Sequence, residues 1–296
     1  MANLRDVRLR MRAIEQTLQV TKAMNLISTA KLRKGRRVLE DTEPFFRRIQ
    51  KSMYDILSGA EITESEYLDK KKREESGRVA VLVVTSDKGL AGGYNANIFK
   101  TVNELCAQHP KPILILIGAI GYRYFIHSPY LILENFSFHS RLPEMENAKE
   151  IADYIISQYL WGMLSEVYVV YTHMYSTIKL APDVRQVLPL NAEKMQNELA
   201  RFESQKRTEL RFEYLPSEDA VFDSLVPLYI KGVIYGALVE SYASEQSARM
   251  AAMDEASKNA EEMLAALQIH YNRARQTSIT QEVTEIISGS QALGEE

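Results

Sequence analysis

The sequence has a single cysteine, Cys106, in 296 residues. A disulfide within the chain is therefore excluded, which fits a reducing compartment, and no CxxC pair is present. The histidines, at 109, 127, 139, 173 and 270, show no metal-ligand spacing. No stretch approaches 18 consecutive apolar residues, so no membrane-spanning helix is expected. The opening MANLRDVRLRMRAIEQ lacks the apolar run and small-residue cleavage site of a secretory signal. There is no Walker A sequence, no complete GxGxxG and no nucleophile elbow. Carboxylate pairs such as Glu261/Glu262 and Glu74/Glu75 sit in solvated or connecting contexts, as surface charge does. These absences leave no catalytic, cofactor or metal constellation to assign.

Proline is also missing where it matters. Residues 1–43 and 228–296 contain none. A proline inside a helix costs roughly 3 kcal/mol, so two long proline-free ends suit two long helices. From Leu4 a 3-4 spacing runs through Val7, Met11, Ile14 and Leu18, meets Thr21, Asn25 and Ser28, and continues to Leu32, Gly35 and Leu39. Across its polar part the apolar stripe is expected to shift to Val20, Met24 and Ile27, as a 3.6-residue helix drifts from a 3.5-residue repeat. At the other end the spacing gives Val221, Leu225, Leu228, Gly232, Tyr235, Val239, Tyr242, Gln246, Arg249, Met253, Ala256, Ala260, Met263, Leu267, His270 and Ala274. At about 1.5 Å per residue these helices approach 80 and 100 Å. Ser217 reads as an N-cap before Glu218 and Asp219, and Pro227 as a kink or the start of the long part.

Charge supports pairing the two ends. Residues 1–48 carry 12 Lys/Arg against 5 Asp/Glu, and residues 240–296 carry 4 against 10. Opposite charge and small stripe residues favour an antiparallel coiled coil, with the polar positions setting register. The competing reading is two core helices of a bundle. Against it, the middle of the chain alternates strands with helices. RVAVLVVTSD (78–87), PILILIGAIG (112–121), 130–136, 166–176 and 184–190 read as strands, and 96–108, 122–126 and 146–161 as helices. That alternation predicts a mainly parallel, Rossmann-like sheet. The expected fold class is thus α/β: a long antiparallel coiled coil of the N- and C-terminal helices with an inserted Rossmann-like domain. Its boundaries are expected at 1–58, 76–215 and 217–289, joined by charged connectors at 64–77 and 191–213.

Two motifs invite function and are weighed against plainer roles. GLAGGYN (89–95) follows a strand, but no acidic residue ends the next strand to hold a ribose. Its glycines are read as a tight turn and close helix–strand packing. KLRKGRR (31–37) has no interleaved aromatics, and reads as a solvated face or a contact with an acidic protein rather than a nucleic-acid site. One segment has no plain account. YNRARQTSITQEVTEIISGSQAL (271–293) is rich in short polar groups yet carries Ile279, Val283, Ile286 and Ile287 at helical spacing. It suits a helix end inside a collar of other subunits, with few and exchangeable contacts.

Three ordered blocks carry a resemblance: LRDVRLRMRAIEQTLQVTKAMNLISTAKLRK (4–34), TSDKGLAGGYNANI (85–98), and ARMAAMDEASKNAEEM through NRARQTSITQEVTEIISG (248–289). Through them the chain resembles the gamma subunits, the central shafts, of F-type ATP synthases. The resemblance implies a non-catalytic rotor coupling ion-driven rotation to conformational cycling of catalytic β subunits. It implies α and β subunits of the hexamer, an ε subunit and a membrane c-ring as partners, one copy per complex, and neither a cofactor nor nucleic acid. It carries over a rotor–stator contact role to Lys22 and Met24 in TKAM, Arg249 in ARM, Arg275 and Gln276 in RQ, and Thr280 and Glu282 in ITQE. Asn25 and Ser28 are more polar than the family's usual residues, and a GEE tail is added. The single cysteine and MANLRD start point to a bacterial complex on the cytoplasmic face of the cell membrane. Two rivals from other classes are a nucleotide-dependent enzyme, which would bind nucleotide stoichiometrically, and a coiled-coil scaffold, which would homodimerise.

Met24→Lys is expected to loosen coupling, because it adds charge beside a basic helix that a partner's acidic loop would then hold too firmly. ATP hydrolysis by the assembled complex should persist while ions pumped per ATP fall; an unchanged ratio would refute the contact.

Overall fold

The computed structural model describes residues 4–59, 65–68, 78–138, 142–176, 179–191, 214–215 and 217–293. Most of the two expected connectors lies outside the described residues. Five helices and five strands are described: α1 (Leu4–Gly59), β1 (Arg78–Val84), α2 (Tyr94–Ala107), β2 (Ile113–Ile117), α3 (Ala119–Phe125), β3 (Leu131–Phe136), α4 (Met145–Leu160), β4 (Leu164–Met174), β5 (Leu180–Leu188) and α5 (Glu218–Leu293). The chain divides into two compact units, one of residues 1–28 with 249–296 and one of 29–248. Both long helices contribute to each unit.

The sheet unit is built on the order β3-β2-β1-β4-β5. β1 pairs in parallel with β2 and β4, β2 with β3, and β5 returns antiparallel on β4 through the turn after Met174. The run RVAVLVV is apolar without alternation because both of its faces are covered. Ala80, Leu82 and Val84 face one core with Ile49, Met53 and Ile56 of α1, Ile151 and Ile155 of α4, and Phe222, Val226, Ile230 and Ile234 of α5. Val81 and Val83 face the other core, against Ile98 and Val102 of α2 and Phe125 of α3. Each Val, Leu, Ile, Phe or Met side chain among them, fully withdrawn from water, contributes about 1.5–3 kcal/mol. Part of α5 is apolar enough in composition for a membrane span, and its fully buried Phe222, Val226, Ile230 and Ile234 explain that apolarity as core.

Both prolines near the helix ends lie inside helices. α1 continues through Pro44, and α5 begins upstream of Pro227, where Ser217 Oγ accepts the Ala220 amide at 3.2 Å as an N-cap. The penalty of each proline is offset by packing of the same turns, which include Phe46 and Val226.

Glycine is obligatory at the close approaches. Gly118 has φ 96°, and a Cβ there would lie 2.3 Å from the Thr85 carbonyl oxygen. On α5, a Cβ at Gly232 would lie 2.1 Å from Phe46 Cδ1, so α1 and α5 meet there ring against backbone. Within GLAGG, Gly92 serves the turn as expected, with φ 55°, but close packing does not fall on Gly89 or Gly93. Gly89 faces open space and Gly93 meets only Asn97 Nδ2 at 3.7 Å, so the tight helix–strand contact belongs to Gly118 and Gly121.

Gly232→Ala and Gly236→Ala should have opposite effects on thermal unfolding. The first must displace Phe46 and is expected to cost about 1–3 kcal/mol. The second adds a methyl where nothing lies within 4 Å, and should gain about 0.5–1 kcal/mol from helix propensity. Equal effects would contradict the described contact.

Candidate functional site

In the helical unit α1 and α5 run antiparallel: Arg8 reaches the Tyr271 hydroxyl, Thr21 Oγ1 lies 2.8 Å from Ser257 Oγ, and Asn25 Nδ2 donates to the Met250 carbonyl at 3.1 Å. The stripe on α1 does not shift. Val20 and Ile27 are 57% and 56% exposed, whereas Thr21 and Ser28 are buried. For Thr21 the reason is hydrogen bonding. Each hydroxyl is small enough for the seam, and Thr21 finds both Ser257 and its own helix's Leu18 carbonyl. The polar positions thus keep the heptad in phase and leave Val20, Leu26 and Ile27 outside.

The stripe on α5 is corrected likewise. Leu228 and Met263 are exposed at 39% and 56%, and His270 is exposed too. Beyond Met253 the covered positions are Ala256, Ser257, Ala260, Leu264, Leu267, Tyr271, Ala274 and Ser278. Ala256, Ala260, Leu267 and Ala274 are thus covered as expected, whereas the seam passes through Leu264 and Tyr271 rather than Met263 and His270. Past Ser278 every residue to Ser288 is exposed, including Ile286 at 70%. The pairing registers carry α1 to its first described turn by about Ala274, so the end of α5 outruns its partner.

The expected contact residues fall into three settings. Lys22 projects from α1 and meets Glu261 Oε1 at 2.7 Å, with both side chains about half exposed. Such a pair is worth roughly 0–1 kcal/mol and separates easily. Met24 is half-buried beside the seam, and Arg249 is buried at 7% exposure. Arg275, Gln276, Thr280 and Glu282 are exposed near or on the overhanging end. There Thr280 Oγ1 donates to the Gln276 carbonyl at 2.9 Å and Ser278 Oγ to Glu282 Oε1 at 3.3 Å. The short polar groups thereby satisfy one another along their own helix while their surface stays available.

The sheet unit has the place where open α/β sheets bind ligands, the carboxyl edge where strand order reverses between β1 and β4. Its loop amides are taken by the chain's own side chains. Asn95 Oδ1 accepts the Ser86 amide and Asp87 Oδ1 accepts the Ala119 amide, each at 3.1 Å. A carboxylate already stands at the start of α3, where a phosphate would otherwise go. Helix α5 covers the rest. A cavity of about 50 Å³ lies among Thr85, Asp87, Gly118, Ser241 and Tyr242, whereas small-molecule sites span roughly 300–1,000 Å³.

A larger groove of about 470 Å³ lies between α1, α5 and the β4–β5 hairpin. Its ionisable groups are engaged with one another. His173 Nδ1 lies 2.5 Å from Glu240 Oε1, Tyr171 donates to Asp183 at 3.3 Å, and Arg185 donates to the Tyr229 hydroxyl at 3.3 Å. Burial raises the Glu240 carboxyl above its ordinary value, while His173 pulls it back. Burial, with Glu240 and Asp183 nearby, raises the Tyr171 phenol, which stays a donor. Burial also pushes the Cys106 thiol up to about 11, so it is protonated and unreactive at neutral pH. Among the described residues no group of three or more His, Cys, Asp or Glu could hold a metal.

With this geometry described, likeness to known proteins can be placed on it. A family model described as ATP synthase matches residues 3–293. The chain is 40% identical to the ATP synthase gamma chain of Acetivibrio thermocellus over 99% of this chain and 100% of that one. It is 41% identical to that of Ruminiclostridium cellulolyticum, over 98% and 99%. Among solved structures it is similar to a chain of the Euglena gracilis mitochondrial ATP synthase OSCP/F1/c-ring assembly in rotational state 3. That match is 18% identical, covers 98% of this chain and 94% of that one, and has a TM-score of 0.68, which speaks for the fold.

Thr21 and Ser257 should behave as one unit in the seam. Thr21→Val is expected to cost about 1 kcal/mol in chemical denaturation, and adding Ser257→Ala little more. Fully additive losses would show that the two hydroxyls act separately.

Proposed function

The chain belongs to the ATP synthase gamma-chain family, and from that premise we propose that it is a non-catalytic rotor whose side chains act as contact points. A gamma chain is the central stalk of a rotary ATP synthase, coupling rotation driven by the membrane sector to ATP synthesis or hydrolysis. In this reading residues 1–58 and 217–289 form the shaft and 76–215 the foot. The partners are the α and β subunits of the catalytic hexamer around the shaft, with ε and the c-ring at the foot, one gamma chain per complex. The complex sits on the cytoplasmic face of a bacterial cell membrane, and the nucleotide sites lie on β.

The observation that supports this reading most is the end of α5. Ile279, Val283, Ile286 and Ile287 are exposed at 51%, 49%, 70% and 54% among polar neighbours, with no partner helix beside them among the described residues. An apolar face on this stretch is accounted for when a ring of other subunits surrounds it. Arg275, Gln276, Thr280 and Glu282 would give that ring polar contacts made and broken at each step. Lys22 and Met24 would meet it further down, with Lys22 free to exchange Glu261 for an acidic group on a partner. Arg249, with little surface to offer, would hold the seam beneath them.

The mechanism follows from differential contact. A conformational equilibrium shifts only by the difference in a ligand's interaction with its states. A two-helix shaft is asymmetric about its axis, so each orientation offers each catalytic subunit a different set of side chains. Rotation then changes which subunit is held open and which closed, and the same cycle run in reverse, as hydrolysis, turns the shaft.

Reconstitution with α, β, ε and membrane subunits should yield ATP-driven ion pumping, and the pure chain should have no ATPase activity. Measurable turnover by the pure chain, or a complex that pumps equally well without it, would overturn the reading. Ile279→Asp with Ile286→Asp should leave the isolated chain's unfolding within about 0.5 kcal/mol, because both residues are exposed. The same variant should lower pumping severalfold. A destabilised chain with normal pumping would contradict it.

A further inference from the structure

The middle of α5 is buried on nearly every side yet is not apolar. Ala237, Leu238 and Val239 are followed by Ser241, Tyr242, Ala243, Ser244, Gln246 and Ser247, all buried, with Ser244 at 0% exposure. A helix buried all round is normally apolar, because each buried hydroxyl costs about 1–3 kcal/mol unless it is bonded. For Ser241 and Ser244 the elements around the sheet supply the bonds. Ser244 Oγ donates to the Thr172 carbonyl at the end of β4 at 2.9 Å. The hydroxyls of Tyr94 and Ser241 lie 2.6 Å apart, both buried, with Tyr94 placed by the GLAGG turn at the start of α2. Glu240 accepts the Met174 amide at 3.3 Å and faces His173.

These contacts point in two directions. On a helix, Glu240 and Ser244 lie one above the other, and Ser241 lies about 60–100° round from them. One direction is tied to the end of β4 and the other to α2. Apolar packing resists separation and rotation through interlocking shape. Directional hydrogen bonds on two azimuths add a further, angle-dependent resistance to turning.

We propose that the carboxyl edge of the sheet, where such folds hold a ligand, is a torque clamp that holds α5, with Tyr94, Ser241 and Ser244 as its positioning residues. The proposal rests on the rotor reading above and adds where the rotational load passes between the α/β unit and the helix. It also gives GLAGGYN a role. The turn presents Tyr94 to the helix as it would present amides to a phosphate.

The test uses the whole complex in sealed vesicles, comparing the wild-type chain with Tyr94→Phe, Ser244→Ala and the double variant. ATP hydrolysis with the gradient collapsed should stay within about twofold of wild type, since no nucleotide contact changes. Ions pumped per ATP should match wild type at low gradient. Against a steep gradient the double variant's ratio should fall at least threefold, and Tyr94→Phe should show the same direction less strongly. A residue that merely supports folding would lower the yield of assembled complex without this dependence on load. The clamp is overturned if Tyr94→Phe and the double variant each keep the wild-type ratio at every gradient. If the double variant does not assemble, Tyr94→Phe alone decides, because it removes only the hydroxyl. If instead the wild-type chain fails to support pumping, the rotor reading itself fails.

Discussion

The structure depends on keeping α5 covered along most of its length. A helix this long is stable in water only where its stripe is buried, since propensity alone adds little. Two kinds of surface cover it. Across Met253 to Ser278 the cover is α1, through a seam of aliphatic, small and hydroxyl side chains. Across Phe222 to Ser247 it is the sheet unit together with the later part of α1, which surround it. Past Ser278 the chain supplies no described cover, and there the exposed isoleucines and short polar groups coincide.

The seam shows how polarity is used without loss of pairing. Thr21, Asn25 and Ser257 weaken the apolar contact but bond to each other or to helix carbonyls. Sliding α1 against α5 would break the Thr21–Ser257 and Asn25–Met250 bonds across the seam, so register is held more sharply than aliphatic side chains alone would hold it. The same phase sends Val20, Leu26 and Ile27 outward, next to Lys22 and Met24. An outer face with apolar and charged groups side by side is therefore a consequence of how the inner face is held.

Much of this was legible in one dimension. Proline-free ends, the heptad from Leu4 to Leu39, opposite charge and alternating strands lead to the fold class, and three motif blocks lead to the family. The errors share one cause. Counting apolar residues treats a buried serine or threonine as a gap. Thr21 and Ser257 are seam residues, yet the count moved the stripe onto Val20, Ile27, Met263 and His270. The GLAGG loop was misread in a related way. Its glycines suggested close packing, but the atom that matters is the Tyr94 hydroxyl, whose partner lies 147 positions away on α5.

Sequence alone determined which segments are helix and strand, because local periodicity, capping at Ser217 and proline placement act over a few residues. It also determined the family, because ordered motifs survive without coordinates. Tertiary structure decided which hydroxyls are buried and which isoleucines are not, since a side chain's environment depends on a partner far along the chain. It decided as well that the sheet's ligand crevice is filled by α5. Only folding brings Tyr94 to Ser241 and Thr172 to Ser244 within hydrogen-bonding reach, and no spacing in the chain announces it.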